Sequence, residues 1–278
     1  MNIFFLKVFN FTINNIKIVR YLLPCVLPYI YNLKNKNFYQ NITFDILLKK
    51  KKSNTVFICG TGPSINKIEN RIWKKMEGFD VISFRDFPKQ TKVNVDYHVT
   101  GEIDDVKEYA NNINNNPKYK NTYFLIQEGF KAHKPNTLLG KKLLKLNSKI
   151  FRYKRKGRGE YISLSKRIDE GIVHGFNSII SVINLAFIMG WKKIILVGID
   201  MHNHTYFYYP ENKIRKVEKK GITLNSLYTN REKTLELLSR WIIELKKNNI
   251  ELFIFNKDSY LKKIIPRFKW SLIKNEKN

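Results

Sequence analysis

Apolar and polar positions follow one another along most of the chain in the way that an α/β sheet requires. Short runs of apolar and β-branched residues are separated by segments long enough for helices, and Ile194–Val197 and Leu252–Phe255 are apolar at every position. Such runs are typical of strands covered on both faces, which favours a mostly parallel sheet. The predicted strands are Thr55–Cys59, Asp80–Phe84, Asp96–Thr100, Thr122–Ile126, Lys193–Gly198 and Glu251–Phe255.

The segments between the strands have helical periodicity. The predicted helices are Ile65–Met76, Glu102–Asn112, Leu138–Leu146, Ser178–Met189 and Arg231–Lys247. The helix from Ser178 is apolar nearly all round and is expected to be buried, with Asn177 or Ser178 as its N-cap and Gly190 as its stop. The helix from Arg231 has one apolar stripe and is expected at the surface. These elements predict an α/β, Rossmann-like, mostly parallel sheet with helices on both faces.

Composition and charge restrict the partners of the chain more than its fold. Hydrophobic residues make up 43% of the 278 positions, enough for a sizeable core, so disorder is excluded as the main state. The 51 Lys and Arg against 23 Asp and Glu leave a formal charge of +28, which favours a phosphorylated or polyanionic partner or an anionic membrane surface. The two cysteines, Cys25 and Cys59, have no C-x-x-C spacing, which favours a reducing cytoplasm over a disulfide scaffold or a structural zinc site.

The basic residues are concentrated in two blocks. Residues 1–53 hold nine basic side chains and one acid beside apolar anchors, which predicts an amphipathic extension on the anionic inner face of the cell membrane. A helical cap packed on the core is the alternative. The longest uncharged run of this segment, Tyr21–Leu33, has 13 residues, against the roughly 20 that a spanning helix needs. The second block, Lys131–Arg167, carries thirteen cations against Glu160 alone and is predicted to form a small basic lid, with a membrane patch or a solvated loop as alternatives.

The domain boundaries follow from these blocks. We predict an N-terminal extension at 1–53, an α/β domain at 54–260 with lid or loop insertions at 131–170 and 203–229, and a basic C-terminal tail at 261–278.

The first motif that carries chemistry follows the first predicted strand. It is the turn Gly60-Thr61-Gly62-Pro63-Ser64, which leads into a helix. Glycines let a backbone approach a ligand closely, and the amides at a helix start favour phosphate. The turn lacks the third glycine of the dinucleotide fingerprint and the Lys-Ser/Thr of the phosphate loop, so a plain connecting turn stays an alternative.

The second motif follows the strand at 193–198. Here Gly198-Ile-Asp200 is followed by His202, His204, Tyr206, Tyr208 and Tyr209 in one loop, at the edge where open α/β sheets bind ligands. A neutral histidine titrates near working pH, so His202 or His204 is the candidate general base, with His174 as a third. The His-x-His pair alone gives weak evidence for a metal. We expect no metal site, and a surface or core role for the histidines remains open.

Together, the turn from Gly60, the apolar helix opened by Asn177 and Ser178, and Gly190–Asp200 resemble glycosyltransferase family 42, the bacterial CMP-sialic-acid-dependent sialyltransferases. They also resemble a wider set that includes motility-accessory-factor transferases, Kdo transferases and a pterin pyrophosphokinase. The resemblance runs from about Thr55 to Tyr260. It implies an inverting, metal-independent transfer of a nonulosonic acid, such as sialic acid or Kdo, from a CMP-activated donor to a glycan or lipooligosaccharide acceptor. Capsule or lipopolysaccharide assembly would be the setting, with no cofactor beyond the CMP-sugar.

The resemblance also implies roles for individual residues. The implied donor-binding residues are Gly60, Thr61, Gly62, Pro63, Ser64, Arg85, Thr100, Asn177, Ser178, Asp200 and Tyr206. Tyr208 falls on a tyrosine that hydrogen-bonds the leaving phosphate, and His202 occupies the position of a second such tyrosine. The position of the family's catalytic histidine is Ser226 in this chain, so the implied catalytic residues are His202, His204 and Tyr208.

Two other functions compete with this one. The pyrophosphokinase branch would transfer a diphosphate from ATP to a pterin, with Mg²⁺ and carboxylate ligands, of which Asp200 is the one that the sequence clearly places. A basic nucleic-acid-binding protein is the third, but no recognised module is present and the basic blocks are not interleaved with aromatic residues, so no specific nucleic acid is expected. Homo-oligomerisation is left open.

Overall fold

A computed structural model of the protein describes residues 25–157, 162–201, 205–209 and 224–273, and for 224–229 it describes the backbone alone. Within these ranges, the strands are β1 (Gln40–Asn41), β2 (Thr55–Cys59), β3 (Asp80–Phe84), β4 (Tyr97–Thr100), β5 (Tyr123–Gln127), β6 (Lys149–Tyr153), β7 (Arg155–Lys156), β8 (Ile172–Val173), β9 (Lys193–Val197) and β10 (Glu251–Ile254). Eight parallel strands form one sheet in the order β1-β6-β5-β4-β3-β2-β9-β10, and β7 pairs with β8 in a separate ribbon.

Helices cover both faces of the sheet. They are α1 (residues 25–34), α2 (Phe44–Lys49), α3 (Asn70–Met76), α4 (Val106–Asn115), α5 (His133–Gly140), α6 (Ser178–Ile188) and α7 (Leu224–Lys247). Side chains alternate along β2, so that Val56 and Ile58 pack with α2, α6 and α7, while Phe57 and Cys59 pack with α3, α4 and α5. The two resulting cores confirm the predicted Rossmann-like α/β fold.

The strands that the sequence predicted are all present, and four others were missed. β1, β7 and β8 have two residues each, too few to show a period. β6 lies between β1 and β5 and has buried residues at Ile150, Phe151 and Tyr153, but Lys149 and Arg152 interrupt its apolar pattern. β6 and α5 lie within the block predicted as a basic lid insertion, so this part of the block belongs to the sheet domain.

Helix α6 agrees with its prediction most closely. It begins after Asn177 as N-cap, it is buried along most of its length, and Gly190 ends it with φ of +74°. α7 also has its predicted apolar stripe, with Leu238, Trp241 and Leu245 buried. The turn after β2 forms a short 3₁₀ helix, Pro63–Lys67, and α3 begins only at Asn70, because Ile68 and Glu69 are extended.

Part of the predicted N-terminal extension belongs to the main body. β1 pairs with β6, and Leu47 of α2 is fully buried. Two of the clustered lysines bind this body: Lys51 donates to the carbonyl oxygen of Met189 at 3.0 Å, and Lys52 pairs with Asp96 at 2.7 Å. Among the residues that the structure describes, no helix is long and apolar enough to cross a membrane. Residues 1–24 of the predicted membrane-surface segment lie outside the described ranges.

The predicted C-terminal tail is packed on the sheet over its described part. Phe268 is buried and donates its amide to Ile254 of β10 at 2.9 Å, while Ile254 donates to Pro266 at 3.0 Å. Residues 261–273 are therefore part of the domain, whose predicted boundary was 260.

A buried polar network crosses the core between β3, β4 and α4. His98 Nδ1 lies 2.6 Å from Ser83 Oγ, and its Nε2 is hydrogen-bonded to the hydroxyl group of Tyr109. That hydroxyl also bonds Thr100 Oγ1 at 2.9 Å. Full burial lowers the pKa of His98 to about 3, so the ring is neutral in the folded protein.

This network predicts a loss of stability in acid. Below a pH of about 6.5 the unfolded chain binds a proton at His98 that the folded protein excludes, so the free energy of unfolding falls as pH falls towards about 3. One such group changes the free energy of unfolding by at most about 1.4 kcal/mol per pH unit. Urea unfolding across this range should show a shallower pH dependence for His98→Gln than for the unchanged chain. Parallel curves for the two proteins would contradict the prediction.

Candidate active site

The site is built around the junction of β2 and β9, which lie side by side, with β9 next to the edge strand β10. β2 leads to β3 on one side of this junction, and β10 flanks β9 on the other. In an open α/β sheet such a reversal is a topological switch point, where the loops after the two strands diverge and ligands bind. The prediction that the two glycine-marked strand ends lie together is confirmed.

Backbone hydrogen bonds tie the two strand ends to each other. The amides of Gly60 and Gly62 donate to the carbonyl oxygens of Val197 and Gly198, both at 2.8 Å. A Cβ atom on Gly60 would lie 2.3 Å from the side chain of Ile199. The first role of these glycines is therefore to let two loops meet, whereas the sequence suggested that they let a ligand approach. Ligand binding by the turn from Gly60 to Ser64 stays a prediction.

Asp200 fixes this junction from the β9 side. Its carboxylate is 3% exposed and accepts a hydrogen bond from the amide of Ser64 at 2.9 Å and another from the side-chain amide of Asn256. Its own carbonyl oxygen accepts from the amide of Tyr260 at 2.8 Å. Asp200 thus occupies the start of the 3₁₀ helix from Pro63, where the sequence placed a phosphate. Asn256 was missed because it stands alone after an apolar strand and belongs to no motif.

Arg85, directly after β3, forms the charged centre of the site. It has a left-handed backbone with φ of +54°, and its Nη1 lies 2.7 Å from Oε2 of Glu102, which follows β4. Burial opposes its charge, but attraction from Tyr206, Glu102 and other neighbouring acids raises the pKa of the guanidinium above its usual range. Arg85 is therefore a permanent cation in a partly enclosed place. Glu102 was not among the predicted site residues.

The start of α6 meets the same acid. Ser178 Oγ donates to Glu102 Oε2 at 3.0 Å, and His174 Nε2 lies 3.8 Å from Glu102 Oε1. Asn177 is fixed by its donation to Thr234 Oγ1 of α7 at 2.9 Å. The free amides at the start of a helix carry a partial positive charge, so Arg85 and α6 both offer favourable interactions to an anion at the position of Glu102.

The tyrosines of the β9 loop complete the cluster. Phe207 donates its amide to Thr61 at 3.0 Å, which holds this loop against the turn after β2. The rings of Tyr206 and Tyr208 are stacked with centroids 5.3 Å apart, and the guanidinium of Arg85 lies 6.0 Å from the centroid of Tyr206. The hydroxyl group of Tyr208 donates to Asp86 at 2.8 Å, and burial together with this acid raises its pKa. Tyr208 is thus neutral and already hydrogen-bonded.

The structure brings most of the predicted site residues to this edge of the sheet, and the exceptions are Thr100, His202 and His204. Thr100 ends β4, but it is 1% exposed and its hydroxyl bonds Tyr109 in the core. His202 and His204 lie outside the described residues, as does the side chain of Ser226. Their proposed catalytic roles remain predictions.

The acids of the site are spread around Arg85. Asp86, Glu102 and Asp104 all contribute to the negative potential at its guanidinium. Within the described ranges, no three His, Cys, Asp or Glu side chains form a group that would hold a metal ion by themselves. Magnesium needs less than such a group, since it commonly binds through one or two carboxylates and the phosphate oxygens of a substrate.

A comparison with known protein families shows which family the chain belongs to. The family model described as 6-hydroxymethylpterin diphosphokinase MptE-like matches residues 32–205, which include β1–β9, the turn after β2, Arg85, Glu102 and the start of α6. The chain belongs to this MptE-like family. A search of curated proteins finds no match. The MptE-like match supports the pyrophosphokinase branch of the resemblance, indicates a transferase-type enzyme, and gives no support to the sialyltransferase branch.

Proposed function

We propose that the protein is a nucleotide-dependent transferase of the diphosphokinase type. It would move a diphosphate from a nucleoside triphosphate to a hydroxyl group of a small acceptor, for which 6-hydroxymethylpterin is the first candidate because the family description names it. The observation that carries the proposal is the position of Arg85 and the start of α6 beside the switch point. Arg85 and the start of α6 converge there on a single carboxylate, Glu102.

A cavity next to the switch point supports the placement of the nucleoside. It has a volume of about 640 Å³, and Asn66, Tyr206, Tyr209 and Asn256 are among the residues that line it. Aromatic rings stack on nucleobases, and the two asparagines offer donors and acceptors to base or ribose. Tyr206 lies between the cavity and Arg85, so a nucleotide in this cavity would direct its phosphates towards the guanidinium.

The reaction assigns distinct roles to the residues of the cluster. The acceptor oxygen attacks the β-phosphorus of the triphosphate, the bond from this phosphorus to the α–β bridging oxygen breaks, and the nucleoside monophosphate leaves. The hydroxyl proton goes to a base, for which Glu102 is the proposed group. Arg85 would stabilise the negative charge of the phosphoryl oxygens. Mg²⁺ would supply further neutralisation of this charge, with Asp86 as the carboxylate placed to bind it.

Transfer of a nonulosonic acid from a CMP-activated donor is the second candidate. One observation favours it: the turn at Gly60–Ser64, Arg85, Ser178 and Tyr208, all assigned to the donor or its leaving phosphate by the resemblance, lie along one edge of the sheet. In this case a glycan or glycolipid would be the acceptor, and the basic N-terminal segment would hold the enzyme at an anionic membrane surface.

Ligand-induced stabilisation separates the two candidates. With Mg²⁺ present, the α,β-methylene analogue of ATP should raise Tm by roughly 5 °C or more at saturation, because it binds only the folded protein. CMP should produce a smaller shift. Chromatography should then detect AMP and the diphosphate ester when ATP and reduced 6-hydroxymethylpterin are added. A large shift with CMP and none with the ATP analogue would overturn the diphosphokinase proposal and favour the glycosyltransferase.

A further inference from the structure

A second cavity opens at the same edge of the sheet, away from the nucleotide cavity. It has a volume of about 670 Å³ and lies between α1, the loop after β5 and the end of β6. Gln127 lines it and, together with Tyr153, closes the space beside Gly101, where a Cβ atom would be 3.2 Å from each side chain. Gly101 directly precedes Glu102, so the cavity adjoins the candidate active site without belonging to it.

The charge of the cavity wall is strongly positive. Among the described residues that line the cavity, one is an acid, Glu128, and five are cations. These are Lys36, Lys131, Arg152, Lys154 and Arg155. Such an excess in a concave place raises the local concentration of anions.

Arg152 provides a fixed, incompletely satisfied donor in this wall. Its Nη1 donates at 2.8 Å to the side chain of Asn32, which is 5% exposed and itself donates to Asn136 at 2.9 Å. Arg152 Nη2 is buried and has no hydrogen-bond partner in the described part of the chain. Burial lowers the pKa of Arg152, and the attraction of Glu128 only partly offsets this effect. A phosphate group in the cavity would supply the countercharge that Glu128 provides only in part.

An apolar surface lies next to these cations. The rings of Tyr29 and Phe130 meet edge to face with centroids 6.3 Å apart, and Leu33 lines the cavity beside them. Phe130 and Leu33 are 39% and 53% exposed, which is high for side chains of this kind. A ligand that fits both surfaces has an anionic group and an apolar chain.

We propose that this cavity binds the phosphate group of an amphiphilic phosphate ester, with the lining cations attracting the phosphate and Tyr29, Leu33 and Phe130 contacting the apolar chain. The ester has two sources: a free alkyl or isoprenoid phosphate, or an anionic lipid within a bilayer. The proposal does not depend on the reaction at Glu102, because binding can be measured without turnover.

Calorimetry with the full-length protein tests this proposal through three probes: decyl phosphate, decanol and inorganic phosphate. Decyl phosphate should bind at least about tenfold more tightly than either of the others, because each of them lacks one of the two contacts. Equal affinity for decanol and decyl phosphate would overturn the proposal.

Substitutions locate the binding. Lys131→Gln with Lys154→Gln removes two exposed cations of the cavity and should weaken decyl phosphate binding about tenfold, and Arg152→Met should weaken it further. Lys120→Gln with Lys145→Gln is the matched control, since both lysines are exposed and neither lines the cavity. Should Arg152→Met fail to fold, the double lysine variant still decides. Unchanged affinity in that variant, or an equal loss in the control, would contradict the assignment.

Vesicles distinguish the two sources of the ester. Phosphatidylcholine vesicles with and without phosphatidic acid are sedimented with the unchanged protein and with the double lysine variant. Binding that requires phosphatidic acid and falls in the variant identifies a bilayer lipid as ligand. If the double lysine variant binds decyl phosphate more weakly but binds vesicles as the unchanged protein does, the ligand is a free ester.

Discussion

Replacing Arg85 with methionine is expected to lower kcat/KM for diphosphate transfer by at least about 100-fold, because a preorganised cation that faces developing phosphoryl charge typically contributes this much. Methionine retains much of the side-chain volume and removes the charge and the Nη1 donor that Arg85 directs at Glu102. Steady-state release of AMP from ATP is the measurement. Arg85→Lys should recover only part of the loss, since an ammonium group does not reproduce bidentate contact.

Arg167→Met is the matched control for this prediction. Arg167 pairs with Asp169 at the protein surface, where its side chain is 70% exposed, and neither residue lines the nucleotide cavity, so the same change in charge and shape occurs away from the site. The control should keep the unchanged rate. If Arg85→Met folds normally and retains the rate of the control, Arg85 has no part in catalysis and the proposed function loses its main support.

The Gly62→Ala substitution is expected to destabilise the fold by about 3 kcal/mol, since overpacking against rigid neighbours commonly costs this much. The new Cβ atom would lie 2.3 Å from Oδ2 of Asp200 and 2.7 Å from the carbonyl oxygen of Gly198. To fit it, the two strand ends must separate and the hydrogen bonds between them must lengthen. Urea unfolding measures the effect.

Gly157→Ala is the control for the glycine prediction. A Cβ atom at Gly157 would meet Ile162 at 3.7 Å, an ordinary contact, so the free energy of unfolding should change little. Equal stability of Gly62→Ala and Gly157→Ala would mean that the loops after β2 and β9 do not hold each other as described.

The fold was largely predictable because many of its strands are covered by helices on both faces. Continuous apolar runs mark β2, β9 and β10, and α6 is apolar nearly all round. Their hydrophobic pattern therefore predicts that these elements are buried. β6 was missed because Lys149 and Arg152 interrupt its apolar pattern. Both side chains are partly exposed, and Arg152 lines the second cavity. Residues of the C-terminal segment were assigned to a tail because Phe268 stands among charged residues.

The site was predictable only where a motif marked it. Glycines and the Asp200 segment located the switch point, because tight turns after parallel strands require small residues. Glu102 and Asn256 lie in short loops without periodicity, so their roles depend on contacts from distant segments, as with Ser178 and Asp200. The left-handed backbone of Arg85 likewise gave no signal, since it is adopted by an arginine where glycine or asparagine is usual.

The same contacts explain why the sequence suggested the sialyltransferase branch first. The glycine turn and the Gly198–Asp200 segment join two loops of the sheet, a requirement of the fold that does not depend on the donor. Such motifs identify an architecture, and the chemistry depends on the side chains placed around it. The match to the MptE-like family and the Arg85 cluster therefore weigh more for function than the motifs do.

A crystal structure with Mg²⁺ and the α,β-methylene analogue of ATP tests the central claim most directly. The account predicts a nucleoside in the cavity lined by Tyr206 and Asn256, with phosphate oxygens within hydrogen-bonding distance of the Arg85 guanidinium and Glu102 moved away from it. A nucleotide bound elsewhere on the protein, with Arg85 still paired to Glu102, would contradict the account.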